Sequence, residues 1–237
     1  MPCINVVVDL CCRYCSCAVI KFGKTHKRQR YRCKSCKRTF QNEYLRKAYE
    51  PATNADIAAF VKESCGIRSI ARLLCISANT VIRRIRVIAD SVKKLAILKE
   101  RAYEVDELRT YVNNKSKDCW IIYALDRESR QVVDFKVGSR NKKNLKTVTD
   151  TLLLAECKKI YTDKLNLYSR IIPPLVHRTR RYGTNKIERN NLSLRTHLKR
   201  LNRKTICFSR SINMLEACLK IYFWHGQETK QQTAFYR

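Results

Sequence analysis

Tyr103-Glu-Val-Asp-Glu-Leu-Arg-Thr-Tyr-Val112 is the stretch that sets the fold class. It alternates as a strand does, and it carries an acid, Asp106, in an apolar setting. Onward, Asn113 to Asp118 has the composition of a turn and Cys119 to Leu125 is an apolar run of buried-strand length. Asp126 to Arg130 is a second turn, and Gln131 to Gly138 a third strand. Asn141 to Leu153 has helical spacing, and Lys159 to Thr162 is a short strand running into Asp163. A last strand falls around Val176, and long helices begin at Thr184 and Ser211. Three strands followed by alternating helices and strands predict an α/β domain over 101–237, a mixed sheet with helices on its faces.

Three acids in this segment stand out. Asp106 is mid-strand, Asp163 ends a strand, and Glu188 sits in the first turn of an otherwise basic helix. Glu188 and Arg195 are seven residues apart and share a helix face, with Lys199 next along it, while Ile187, Leu194, Leu198 and Leu201 form the apolar face. Carboxylates gathered from distant segments repel one another unless a cation neutralises them, and hard oxygen donors suit magnesium or manganese. A pair of such ions is a common device for in-line displacement at phosphorus. Glu104 shares the strand face of Asp106 and is an alternative ligand; Glu107 lies on the other face. Asp126 is assigned to its turn, Asp134 to the strand surface and His197 to packing.

Upstream, residues 49–100 predict a helix-turn-helix module and a linker helix. Residues 57–64 read as an amphipathic helix, and Ile67 to Ile85 as two more around a tight turn. Ala71 permits close approach, and Leu74, Ile76, Val81 and Ile85 fill the angle between the helices. Ser77 is placed as an N-cap. Asn79, Thr80, Arg83 and Arg84 are then able to meet base edges or phosphates. The last helix is expected to run on through Ile88 to Leu98. Cys75 stands where such turns often use Gly, which reaches the left-handed conformation more cheaply.

Residues 1–48 hold two C-x2-C knuckles, Cys12/Cys15 and Cys33/Cys36, separated by 17 residues. That spacing predicts a zinc ribbon. Four thiolates in a tetrahedron leave no open position, so the metal would be structural, and it would supply the stability that so small a core lacks. Cys11 and Cys17 flank the first knuckle as competing ligands, and Cys3 has no evident partner.

The 237-residue chain has 50 Lys+Arg against 20 Asp+Glu, a formal net charge of +30. Such an excess fits a polyanionic partner, most simply nucleic acid. Residues 1–50 carry 12 basic and 3 acidic side chains and residues 164–237 carry 16 and 3, so most acids lie in the middle. The apolar start, Val6 to Cys12, is too short for a membrane span and lacks the basic flank of a signal peptide.

The chain resembles transposases of the insertion sequence 1 family. The resemblance rests on the paired knuckles, the helix-turn-helix, Glu104-Val-Asp-Glu107, Tyr161-Thr-Asp163, Lys186-Ile-Glu-Arg-Asn-Asn-Leu-Ser-Leu-Arg195 and Leu201-Asn-Arg-Lys-Thr-Ile-Cys-Phe-Ser-Arg-Ser211. It implies a ribonuclease H-like core of the DDE type and places the family's catalytic acids at Asp106, Asp163 and Glu188 and its basic residue at Arg195. It implies binding of the element's terminal repeats, cleavage at its ends and joining to target DNA, with magnesium or manganese in the core and zinc in the ribbon. It further implies a homo-oligomer on double-stranded DNA, no membrane partner, and a cytoplasmic, nucleoid-associated location in a bacterium. Lys164, Asn190 and Cys75 depart from the family's usual residues. Two other readings share the first hundred residues: a non-catalytic sequence-specific regulator, and an inactive copy of such an enzyme.

Overall fold

The computed structural model describes residues 10–42, 48, 50, 52–180 and 182–227; Cys3 lies outside them. The chain forms two compact units, Met1–Pro51 and Ala52–Arg237.

The first unit is a three-stranded antiparallel sheet, β1 (Val19–Thr25), β2 (Arg28–Cys33) and β3 (Thr39–Gln41). His26 and Lys27 both adopt positive φ, 49° and 63°, the backbone a two-residue hairpin needs to match the twist of its strands. Its core is small: Cys12, Cys33 and Phe40 are buried, with Leu10, Val19, Tyr31 and Cys36 against them.

The second unit begins with three helices, α1 (Thr53–Lys62), α2 (Ile67–Leu73) and α3 (Ala78–Ser91). The α2–α3 turn passes through Cys75 at φ 53°, so a cysteine does adopt the left-handed conformation that glycine would reach at lower cost. Ser77 caps α3: its Oγ accepts the Thr80 N–H at 3.0 Å. The expected continuation of this helix to Leu98 is not observed. Val92 is extended, and 92–98 carry no regular structure. The reason is tertiary. Leu95 is buried in the sheet's core and Lys94 pairs with Asp134 at 2.8 Å, contacts that the chain reaches by leaving the helix.

The sheet has five strands in the order β6-β5-β4-β7-β8: β4 (Ala102–Val112), β5 (Asn114–Asp126), β6 (Val132–Gly138), β7 (Lys159–Tyr161) and β8 (His177–Arg178). The first three are antiparallel, and β7 and β8 join parallel to β4, so the sheet is mixed. The turn expected over 113–118 contracts to Asn113 at φ 69°, and β5 starts at Asn114. Helices α4 (Lys142–Leu154) and α5 (Asn166–Ser169) lie on one face, where Tyr103, Val105, Ile122, Ala124, Leu145, Val148 and Tyr168 share a core. Helices α6 (Asn185–His197) and α7 (Ile212–Trp224) cover the other, with Leu108, Ile121, Tyr123, Ile187, Leu194, Leu215 and Phe223 between. Asp134 is not a surface charge: it is buried and, besides Lys94, accepts from Thr151 Oγ1 at 2.6 Å.

Helix α7 is apolar on two sides. Leu215, Leu219, Phe223 and Trp224 face the sheet. Met214, Ala217, Cys218 and Ile221 instead complete the core of α1–α3, with Ile57, Val61, Ile85 and Ile88. The helices expected over 49–100 thus share their core with the last helix of the sheet domain.

Candidate functional site

The alternation of β4 sends Asp106 toward the α6 face and Glu107 toward the α5 face, yet the two carboxylates and Asp163 converge, with one oxygen from each lying within 4.8 Å of the others. The sheet edge explains it. β7 pairs with β4 only from Ala102 to Glu104 and ends at Tyr161. Between Val105 and Tyr111 no strand among the described residues pairs with that edge of β4, the next bridge being Val112 with Ser209, so acids from both faces can reach round it to Asp163, two residues past the end of β7.

Each acid is oriented. Asp106 Oδ1 accepts the Glu107 N–H at 2.8 Å, and Oδ2 accepts from Asn191 Nδ2 at 2.7 Å. Asn191 is held in turn by the Tyr123 hydroxyl, 2.8 Å from its Oδ1, and Asn190 donates to the same hydroxyl at 3.1 Å. Glu107 accepts from the buried Tyr168 hydroxyl at 2.8 Å and from Arg140 at 3.4 Å. Burial, then the charges of Glu107 and Asp163, push the Asp106 carboxyl up from 3.8 to about 6, against the Glu107 N–H and Asn191. Glu107 is likewise raised, chiefly by burial, although Tyr168 and Arg140 oppose the shift. Three carboxylates with oxygens in mutual reach, two of them pushed toward the protonated form by burial and by their neighbours' charge, fit a divalent cation.

Glu188 lies outside this group. It is exposed on α6 and accepts from Thr184 Oγ1 at 2.8 Å. With Asn191, Leu192, Arg195, Thr196, Asn202 and Arg203 it lines an open cleft of about 780 Å³. Its helix is fixed to the sheet by Glu104, which is fully buried and accepts the Ile187 N–H at 2.8 Å, one of the unpaired donors of the first turn. Arg127 Nε lies 3.0 Å from the other oxygen of Glu104, off the line of a hydrogen bond, so that contact is an ion pair only. Glu104 therefore anchors α6 and does not join the acidic group. Asp126 serves its turn, accepting from Glu128 N–H and Ser129, and pairs with Arg101 at 2.9 Å. His197 meets the Tyr222 hydroxyl at 3.0 Å.

In the first unit Cys12, Cys15, Cys33 and Cys36 gather, their sulfurs all within 4.8 Å of one another. Cys12 and Cys36 are 3.6 Å apart and Cys15 and Cys33 3.4 Å. A tetrahedron with Zn–S of about 2.3 Å has edges of about 3.8 Å, so the four thiols fit the metal. The Tyr14 N–H points at Cys12 Sγ, and those of Ser35 and Cys36 at Cys33 Sγ. Burial works against the Cys33 thiolate, but the Cys36 and Ser35 N–H groups and the Cys15 and Cys36 thiols outweigh it and bring Cys33 down to about 6. Cys36 moves the other way: against the Arg38 N–H, burial and the neighbouring thiols push it up to about 12. Cys11 and Cys17 stand outside the four-sulfur group; Cys17 Sγ donates to the Cys15 carbonyl.

On α3, Asn79 and Arg83 are exposed one turn apart and Thr80 and Arg84 are half-buried beside them, while the Ser77 and Thr80 hydroxyls meet at 2.8 Å. Lys199 is exposed, and its N–H donates to Ser64 Oγ at 2.8 Å. Among the described residues no helix is long and apolar enough to cross a membrane.

Sequence reasoning missed Glu107 as a member of the acidic group. Its strand parity points it away from Asp106, and only the early end of β7 brings the two together.

The model of the IS1 transposase family matches residues 101–227. The InsB protein of insertion element iso-IS1n from Shigella dysenteriae is 36% identical over 113 residues, 48% of this chain and 86% of that protein. An InsB protein of IS1 from Escherichia coli (strain K12) is 34% identical over 119 residues, 50% of this chain and 71% of that protein. Among solved structures, the HTLV-2 integrase catalytic core domain in complex with magnesium aligns over 54% of this chain and 86% of its own, with 16% identity and a TM-score of 0.36. The match to the family model spans more than half of the 237 residues, and this chain belongs to the IS1 transposase family.

Proposed function

We propose that this chain is a DNA transposase of the DDE type with a ribonuclease H-like core, which binds the terminal repeats of an insertion sequence, cleaves at its ends and joins the 3′ ends to target DNA. The observation that carries the reading is the meeting of Asp106, Glu107 and Asp163 at the open edge of β4, in a chain of this family. A bound magnesium or manganese ion supplies charge neutralisation at the phosphodiester and lowers the cost of forming the attacking oxygen. Asp106, Glu107 and Asp163 would hold that ion. Asn191 fixes one oxygen of Asp106, and Tyr168 and Arg140 fix Glu107. Glu188 occupies the family's third acid position and faces the cleft from α6, where it would be the further acid of the set. Cleavage is the downhill hydrolysis of a phosphodiester by water, leaving a 3′ hydroxyl and a 5′ phosphate, and joining exchanges one phosphodiester for another as that 3′ hydroxyl displaces a target 3′ hydroxyl, so neither step needs a nucleotide cofactor.

Binding resides elsewhere in the chain. Exposed Asn79 and Arg83, with Thr80 and Arg84, meet the DNA from α3, Ser77 caps that helix, and Lys199 adds a phosphate contact. Zinc held by Cys12, Cys15, Cys33 and Cys36 makes the first unit rigid. The two ends of one element must be held together, which calls for at least two copies of the chain on double-stranded DNA.

The test is Asp163→Ala and Glu188→Gln, each assayed for binding to the element's ends and for strand cleavage with magnesium, with circular dichroism as the check on folding. Both variants keep binding and lose cutting. Wild-type cleavage by either folded variant removes that residue from the site, and absence of metal-dependent cleavage by the unaltered chain defeats the reading.

A further inference from the structure

Arg195 holds the family's basic position, seven residues after Glu188, yet its guanidinium is already engaged. One terminal nitrogen donates to the Leu201 carbonyl at 3.0 Å and the other to the Arg109 carbonyl at 3.3 Å. These acceptors lie on different elements. Leu201 ends a single 3-10 turn, Lys199–Leu201, and is buried in the core, while Arg109 is on β4. Arg195 therefore ties α6 to the strand and to the turn that follows the helix.

After Leu201 the backbone becomes extended at Asn202, and Asn202 and Arg203 are exposed. Both line the cleft that Glu188 and Asn191 face, and also the neighbouring depression formed by Arg109, Thr110 and Tyr111. Arg203 has no hydrogen bond or ion pair among the described residues, whereas Arg109 is matched by Asp118 at 2.8 Å. Among the described residues that line these two hollows, Glu188 is the single acid. Arg203 is close enough to Arg195 that, after burial, its charge helps lower the Arg195 pKa. Besides the paired Arg109, two cations, Arg195 and Arg203, thus line both hollows. One is occupied with main-chain carbonyls, and the other has no acceptor.

We infer that Arg203 makes the phosphate contact beside Glu188, and that Arg195 is a positioning residue that buckles the 199–203 segment to β4 so that Arg203 faces the DNA. The inference rests on the proposed function, since it takes the occupant of the cleft to be a DNA strand. A guanidinium with all its donors open matches a phosphodiester oxygen pair. A guanidinium already satisfied by carbonyls would have to break those bonds first.

The experiment uses the full chain, in EDTA so that no strand is cut, with a duplex carrying the element's end and an unrelated duplex. Affinity is measured across salt concentrations for Arg203→Gln, Arg195→Gln and the double variant, alongside their melting temperatures. Each phosphate contact contributes about 0.9 to the slope of log K against log salt, so one contact is worth about 3.5-fold in affinity as salt rises from 50 to 200 mM. Arg203→Gln is expected to flatten the slope by about 0.9 on both duplexes and to leave melting unchanged. Arg195→Gln lowers the melting temperature, and the double variant has no flatter a slope than Arg203→Gln alone. An unchanged slope for Arg203→Gln overturns the inference. So does a further flattening of about 0.9 in the double variant, which would make Arg195 an independent phosphate contact. Failure of the transposase reading itself appears elsewhere, as absence of magnesium-dependent cleavage by the unaltered chain.

Discussion

Replacing Asp106 by Asn relieves a repulsion that the metal-free protein carries. The Asp106 carboxyl is raised from 3.8 to about 6, by burial first and by Glu107 and Asp163 next. An acid whose pKa is higher folded than unfolded holds its proton more tightly in the folded state. Its contribution to stability is fully present below pH 3.8 and is lost as pH rises through about 6. A rise of that size corresponds to about 3 kcal/mol, most of it falling between pH 4 and pH 8. Asn cannot ionise, so the variant escapes this loss. It does incur a local cost, because Asn191 Nδ2 donates to Oδ2 of Asp106 and would meet another amide N–H. That cost, about 1 kcal/mol, is independent of pH and cancels when one variant is compared at two pH values. Urea denaturation in EDTA at pH 4 and pH 8 should therefore show the Asn variant gaining about 2 kcal/mol relative to wild type between the two. Magnesium at pH 8 should stabilise wild type and scarcely affect the variant. A stability difference that does not change with pH, or one that moves against Asn as pH rises, refutes the account of the acidic group.

Three other outcomes follow from named contacts. Cys33→Ser with Cys36→Ser should leave the purified protein without zinc by metal analysis while the second unit melts as before; full zinc retention excludes the four-cysteine site. Ser77→Ala removes the acceptor for the Thr80 N–H and should cost about 1 kcal/mol in thermal unfolding, whereas Ser77→Asp should restore it. Glu104→Ala leaves the Ile187 N–H and Arg127 without their buried partner, a loss of about 3 kcal/mol. Glu104→Gln keeps an acceptor for that N–H and should recover part of it, and equal stability of the two variants would show that the anchor is charge alone.

What was legible in the sequence was local. The two knuckles were readable because each chelating pair lies within four residues. Ser77 was readable because an N-cap acts on an N–H three positions away, and β4 because alternation is a property of neighbours. Convergence of Asp106 with Asp163 was accessible only through the family resemblance, since β7 is three residues long and gives little periodicity. What escaped depends on contacts across the chain. Val92 to Leu98 has helical composition, but burial of Leu95 and the Lys94–Asp134 pair outweigh helix propensity there. Glu107 joins the acids because a neighbouring strand stops short, and no pattern within β4 records where β7 ends. The engagement of Arg195 depends on two carbonyls, one of them 86 positions away in sequence.

The two-sided burial of α7 has a consequence for the order of synthesis. Helices α1 to α3 leave the ribosome more than a hundred residues ahead of α7, yet Met214, Ala217, Cys218 and Ile221 are needed to cover Ile57, Val61, Ile85 and Ile88. Until α7 emerges, helices α1 to α3 present an open apolar face, and a polypeptide released near Ser91 would keep it permanently. Such a fragment must bury that face against another molecule or a second copy of itself, or aggregate. Full-length translation thereby becomes a condition for closing the core of α1–α3, and the helix that closes it also packs on the sheet that carries Asp106 and Glu107, so the two cores are completed in one step.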